Sequence, residues 1–121
     1  MSDLAHTLLH YGRAWREADA DKRMAHLQAC FAESGRYVDP TADVAGRIQL
    51  CEHIGQVLDS SGGRVEITSE LVSHHDVVHF TWHMVGPDGA LMVSGHDFAR
   101  FNADGLIEHL AGFFGSPPAL T

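Results

Sequence analysis

Residues 76–114 read DVVHFTWHMVGPDGALMVSGHDFARFNADGLIEHLAGFF, and this stretch decides the fold. Two turn signals punctuate it, Gly86-Pro87-Asp88-Gly89 and Asn102-Ala103-Asp104-Gly105. Such Gly/Asn/Asp clusters supply the backbone conformations that hairpin turns demand. On either side the chain reads as strands, over 76–85, 90–101 and 106–114, with a further strand over 64–73. Long strands joined by tight turns make an antiparallel meander.

Upstream of it the period changes. Leu4, Leu8, Tyr11, Trp15 and Ala18 recur at steps of four, three, four and three, the stripe of a helix that buries one face. Ser2 or Asp3 can cap its start. Asp19-Ala20-Asp21 ends this helix and can cap a second, with Met24, Leu27 and Phe31 on its apolar side. Gly35 to Asp39 reads as a short strand stopped by Pro40. After a loop ending near Gly46, Ile48, Cys51, Ile54 and Leu58 mark a third helix, which Ser60-Ser61-Gly62-Gly63 terminates. The order predicts an α+β domain: three N-terminal helices packed on one face of a strongly curved, mixed, mainly antiparallel sheet.

At 121 residues the chain has the length of one domain, taken as 1–121, with room for one core and one pocket. Sixteen Asp+Glu against eight Lys+Arg give a formal charge of −8. That leaves no basic stripe for phosphates, which argues against nucleic acid and anionic membranes as partners. The apolar runs are far shorter than the roughly 20 residues that cross a bilayer. The start, Met1-Ser2-Asp3-Leu4-Ala5-His6, lacks a basic region followed by an apolar stretch, so the expected location is cytoplasmic. Cys30 and Cys51 both fall in expected helices, where two buried thiols are commoner than a disulfide.

Several landmarks together resemble a known family. They are Tyr11, Trp15 and Asp19 on the first helix, Phe31-Ala32-Glu33, Tyr37-Val38-Asp39-Pro40 and Gly46-Arg47-Ile48. Gly95-His96-Asp97-Phe98, the hairpin from Arg100 to Ile107, and Phe113-Phe114-Gly115 complete the set. The chain resembles the nuclear transport factor 2-like (cystatin-like) fold, and within it the SnoaL-like polyketide cyclases and ketosteroid isomerases. The resemblance implies a cone with an apolar cavity open at one end, and a homodimer formed through the outer sheet face. It also implies three catalytic residues. Asp39 stands where the relatives have a general base, Tyr11 where they have the phenol that hydrogen-bonds an enolate oxygen, and Asp97 where they have a protonated carboxylic acid beside that phenol.

The residues themselves support part of this. Tyr11 shares the inward stripe of Leu8 and Trp15. Alternation over 90–101 places Leu91, Val93, Gly95, Asp97, Ala99 and Phe101 on one face. A carboxyl in such an apolar row is desolvated, which raises its pKa. Asp39, at a strand end with fewer apolar neighbours, is expected to stay ionised. Each residue also has a plain structural role: Asp-Pro forms turns, Tyr11 fits a core, and Asp97 can hydrogen-bond Tyr11 or a helix end. Leu8, Trp15, Phe80, Trp82, Val93, Phe101, Leu110 and Phe114 are the expected cavity lining.

Ten histidines raise the question of a metal. His79 and His83 lie four apart on a strand, which separates them by about 13 Å, too far for joint ligation. No metal site and no cofactor are expected. Burial favours Val78, Phe80, Trp82 and Met84 facing the cavity with the histidines outside, although a one-residue slip of register exchanges the two faces. No phosphate-binding glycine loop, nucleophile elbow, Cys-x-x-Cys or His-Glu-x-x-His occurs. The expected activity is cofactor-independent proton transfer on an apolar carbonyl compound. The alternatives are a non-catalytic binding or dimerisation module and water-mediated epoxide hydrolysis.

Overall fold

The computed structural model describes residues 3–120, with the side chain of Asp3 outside the description. Its elements run α1 (Asp3–Ala14), α2 (Ala20–Cys30), β1 (Phe31–Asp39), β2 (Ala42–Ala45), α3 (Gly46–Ser61), β3 (Arg64–Ile67), β4 (Val72–His74), β5 (Val77–Val85), β6 (Leu91–Phe101) and β7 (Ile107–Phe114). The fold class is α+β. Seven strands form one sheet in the order β2-β1-β7-β6-β5-β3, with β4 also on β5. Every pair is antiparallel except β1–β7, which is parallel and returns the N-terminal half of the chain to the end of the meander.

Local chemistry sets most boundaries. Asp19 caps α2 by accepting from Lys22 N at 3.0 Å. Gly62 ends α3 in the left-handed region (φ 63°), and its N–H closes on Leu58 O at 2.9 Å. Gly89 and Gly105 carry positive φ in the two hairpin turns. In the second turn Asn102 Oδ1 accepts from the N–H of both Asp104 and Leu106. The cap expected at Ser2 or Asp3 lies outside what the structure describes.

Five expectations are corrected. Only α1 and α2 are N-terminal; α3 follows the β1–β2 hairpin. That hairpin exists because Pro40 and Thr41 make a two-residue turn pairing Asp39 with Ala42, so β2 occupies what reads as loop. Phe31 opens β1 instead of closing α2, since its backbone is already extended (φ −118°, ψ 133°). The strand expected over 64–73 splits into β3 and β4, because Ser69 Oγ accepts from Thr81 N at 2.8 Å and so replaces a ladder carbonyl. The sheet is also not strongly curled: it is open, with β2 and β3 as separate edges and register irregularities confined to three places.

The core lies between the helices and one sheet face, around Leu27, Phe31, Leu50, Ile54, Phe80, Ile107 and Leu110. Cys30 and Cys51 are buried and free, and burial pushes the Cys30 thiol up to about 12. Arg23 is buried in the helical layer. Its Nε donates to Glu17 O (3.0 Å), and its terminal nitrogens donate to Ala18 O (3.0 Å) and Cys51 O (3.1 Å). One guanidinium thus ties the α1–α2 connection to α3. Gly55 makes room for it, since a Cβ there would lie 2.8 Å from the guanidinium.

Candidate functional site

A cavity of about 230 Å³ opens between α1, the β1–β2 turn, α3 and the inner faces of β3, β5, β6 and β7. Its wall is mostly apolar: Val57, Val65, Ile67, Phe80, Met84, Val93 and Phe114. Tyr11, Trp15, Tyr37, Asp39, Thr41, Trp82 and Asp97 bring the polar groups. For scale, an apolar cavity of about 150 Å³ admits benzene, so this one suits a molecule of one or two rings.

The sheet register explains how the two carboxyls meet. Asp97 on β6 pairs with Gly112 on β7. On the other side β1 runs parallel with Val38 beside Ala111, which sets the next residue, Asp39, beside Gly112. Asp39 and Asp97 therefore flank a glycine. A Cβ at Gly112 would lie 2.8 Å from Asp97 Oδ1 and 3.5 Å from Asp39 Cβ. Gly112→Ala is expected to push Asp97 off its partner Trp82, costing about 1–3 kcal/mol of stability. The check is the urea midpoint together with the Trp82 indole N–H resonance, which should move upfield.

The two carboxyls have opposite environments. Asp97 is 6% exposed and accepts one bond, from Trp82 Nε1 at 2.8 Å. Burial pushes its pKa up, the Trp82 bond opposes this, the negative charge of Asp39 adds to it, and the result is about 7. Asp39 is also partly desolvated, which alone would raise its pKa, but the groups gathered on its oxygens outweigh that. Tyr37 Oη donates to Oδ2 at 2.5 Å, and Thr41 donates to Oδ1 from both N and Oγ1 at 2.7 Å. His53 Nε2 stands 3.7 Å from Oδ2. Together they hold the Asp39 carboxyl well below the usual carboxylate range. The Tyr11 phenol is pushed far up by burial, then by the charge of Asp97.

Of the residues expected from sequence, Tyr11, Asp39, Asp97, Trp15, Phe80, Trp82, Val93 and Phe114 line this one cavity. Leu8, Phe101 and Leu110 do not, and are corrected. Phe101 and Leu110 pair with Ile107 and Ala99 toward the closed hairpin end of β6 and β7, where they fill the core. Leu8, one turn before Tyr11, is 1% exposed and packs in that core. Phe80, Trp82 and Met84 face inward. The histidines of β5 face the other way: His79 Nε2 meets His96 Nδ1 at 3.1 Å, and His83 Nε2 meets Glu66 Oε1 at 2.9 Å. No arginine lines the cavity. Arg36 pairs with Asp43 at 2.7 Å, and Arg47 Nε donates to Phe31 O at 2.7 Å.

Sequence reasoning missed Tyr37, Thr41, His53 and Gly112 as members of the site. A signal existed for two of them. Tyr37 is two residues from Asp39, hence on the same strand face. His53 lies on the α3 stripe of Leu50, Ile54 and Val57, a polar residue amid an apolar face.

The SnoaL-like domain family matches over residues 11–110. The chain is similar to a protein of Agrobacterium tumefaciens str. C58 provisionally named an isomerase of the SnoaL-like family. The two are 26% identical, with 96% of this chain and 100% of that one covered and a TM-score of 0.88. A protein of unknown function with a cystatin-like fold from Methylobium petroleophilum PM1 is 20% identical over 97% of this chain and 78% of its own (TM-score 0.79). A provisionally named ketosteroid isomerase from Kribbella flavida DSM 17836 is 15% identical over 98% and 82% (TM-score 0.72). At those identities the last two likenesses concern the fold. No curated protein matches the chain. Among the described residues no helix is long and apolar enough to cross a membrane.

Proposed function

Because this chain belongs to the SnoaL-like domain family, we propose that it is a small cofactor-independent enzyme moving a proton on an apolar carbonyl compound, in an isomerisation or aldol-type cyclisation. One observation carries the reading: two carboxyls with oppositely displaced pKa values flank Gly112 in an apolar cavity that also holds the Tyr11 phenol.

The roles follow from which oxygens are free. Asp39 spends its lone pairs on Tyr37 and Thr41 and is a weak base, so the base role expected for it passes to Asp97. Burial, with the fixed negative charge of Asp39 adding to it, keeps Asp97 titrating near neutrality, where a general base works best. The ionised Asp97 takes a proton from the carbon next to the carbonyl. The electron pair moves onto the carbonyl oxygen, and Tyr11 O–H stabilises the enolate by a hydrogen bond. In isomerisation the Asp97 carboxylic acid returns the proton to another carbon of the conjugated system. In cyclisation the enolate carbon attacks a second carbonyl of the same molecule, and Asp97 protonates the resulting alkoxide.

The family resemblance also supports a homodimer through the outer sheet face, where Met92, Phe98 and Phe113 stay 51%, 39% and 53% exposed.

Deuterium uptake from D2O into 2-tetralone, a bicyclic enolisable ketone, tests the activity. The protein is expected to accelerate it, with kcat/KM rising with pH through about 7 as Asp97 ionises. Tyr11→Phe should cost about 100-fold or more. Exchange no faster than with the same concentration of free acetate, over a panel of such ketones, overturns the enzyme reading in favour of a binding module.

A further inference from the structure

Three imidazoles gather on the helical layer, away from the cavity. His6 and His10 are four residues apart on α1, so they share one face of that helix. His26 comes from α2. The rings of His6 and His10 meet edge-on with centroids 4.8 Å apart, and those of His10 and His26 lie 5.3 Å apart. Between the last two, the Nδ1 atoms stand 3.0 Å from each other, one donating and the other accepting. His10 and His26 are half-buried and His6 is exposed, so the cluster lies at the surface.

Its chemistry is that of neutral imidazole. Burial lowers the pKa of His10, and the charges of His6, His26 and Arg13 lower it further. Among the described residues no carboxylate pairs with any of the three histidines. An uncharged imidazole is the form that ligates a metal. When the donor ring takes its Nε2–H tautomer, both Nδ1 lone pairs face the space between the rings.

The spacing also selects a geometry. With metal–imidazole bonds of about 2.0–2.1 Å, nitrogens this far apart subtend roughly 90–100° at a shared ion. That angle suits square-planar, tetragonal or octahedral coordination better than the tetrahedron of zinc. Nitrogen ligands in such a geometry favour nickel(II) or copper(II), whereas magnesium and calcium want oxygen. Among the described residues no three side chains of His, Cys, Asp or Glu are gathered for a metal as they stand. Two ligands therefore come from the protein and the rest from water.

We propose that His10 Nδ1 and His26 Nδ1 form a bidentate chelate for a divalent ion of the nickel or copper class, which clips α1 to α2. The clip acts on the helix that carries Tyr11 into the cavity, but it does not depend on the reaction read above. Its rival is a second close pair, His79 Nε2 and His96 Nδ1 at 3.1 Å on the outer sheet face, where Phe113 stacks on His96.

The experiment titrates the full, untagged chain with nickel chloride in a non-coordinating buffer at pH 7.5, read by calorimetry and by thermal denaturation. The native chain is expected to bind one ion at its tightest site and to melt at a higher temperature with it, by mass action on the folded state. His26→Gln should weaken that site at least about tenfold, since losing an outer partner of a ligand already costs that much. It should also abolish the rise in Tm. His96→Gln should leave both within about twofold of native. A tightest site that survives His26→Gln, or that His96→Gln also removes, overturns the proposal, as does the absence of saturable binding. Should His26→Gln fail to fold, paramagnetic broadening in the native chain decides. Nickel must broaden the ring signals of His10 and His26 before those of His79 and His96, and the reverse order overturns the assignment.

Discussion

Asp97→Asn is expected to lower the turnover of an enolisable ketone by about 100- to 10,000-fold, the usual contribution of a general acid–base group, while making the protein more stable at pH 8. Few active-site substitutions should separate so cleanly in sign. The amide oxygen still accepts from Trp82 Nε1, so the packing is preserved, but the side chain can no longer take up or release a proton. The stability gain follows from linkage. In the folded chain Asp97 titrates at about 7, whereas the usual value is 3.8. Between those values the native state holds a proton that the unfolded chain has released. Stability therefore falls as pH rises from about 4 to 7, by on the order of 4 kcal/mol. The substitution removes this fall. Asp39 acts in the opposite direction: its depressed pKa contributes stability that is present above about pH 4 and lost as pH drops further. Urea unfolding from pH 3 to 9 is thus expected to show stability falling on both sides of about pH 4–5 in the native chain. In Asp97→Asn the alkaline-side loss should disappear and the acid-side loss should persist. An unchanged alkaline side would mean that Asp97 is not held protonated at all.

Arg23→Ala is the largest expected loss of stability, about 3–5 kcal/mol. The guanidinium is 5% exposed and donates to three backbone carbonyls, those of Glu17, Ala18 and Cys51. Hydrogen bonds from a charged donor contribute about 1.5–3 kcal/mol each, and removing the donor leaves acceptors buried without partners. A net stability of roughly 0.05–0.15 kcal/mol per residue makes such a loss a large fraction of the whole. Thermal denaturation should show a fall in Tm of roughly 10–20 °C. Arg23→Lys should recover little of it, because one ammonium cannot reproduce the planar fork that reaches carbonyls in three directions. A Tm within a few degrees of the native value in Arg23→Ala would show that water replaces the guanidinium at no cost. Activity should follow the folded fraction, since Arg23 lies outside the cavity lining.

The elements were legible wherever a local rule governs them. Gly89 and Gly105 marked the hairpin turns, Asp19 the cap of α2, Gly62 the end of α3, and alternation along β6 put Asp97 on the buried face. Errors arose where a partner distant in sequence overrides the local preference. Ser69 breaks an apparent strand only because Thr81 lies opposite it, and Phe31 leaves its helical pattern to begin β1. The cavity lining was over-drawn for the same reason. Alternation puts Phe101 and Leu110 on the same inward faces as Val93 and Phe114, but pleating gives a face and not a depth along the strand.

By itself, then, the sequence determined the apolar stripes of the helices, the two glycine-bearing hairpin turns of the meander, and that Asp97 would be a desolvated acid, because these depend on neighbours within a few residues. Only the tertiary structure decided what those groups meet. The parallel return of β1 onto β7 sets Asp39 and Asp97 on either side of Gly112. Tyr37 and Thr41 donate to the carboxylate of Asp39, and Trp82 is matched to Asp97. Each is a long-range register or a packing choice, fixed by burying a shared core; the pKa values follow from those contacts and not from residue type.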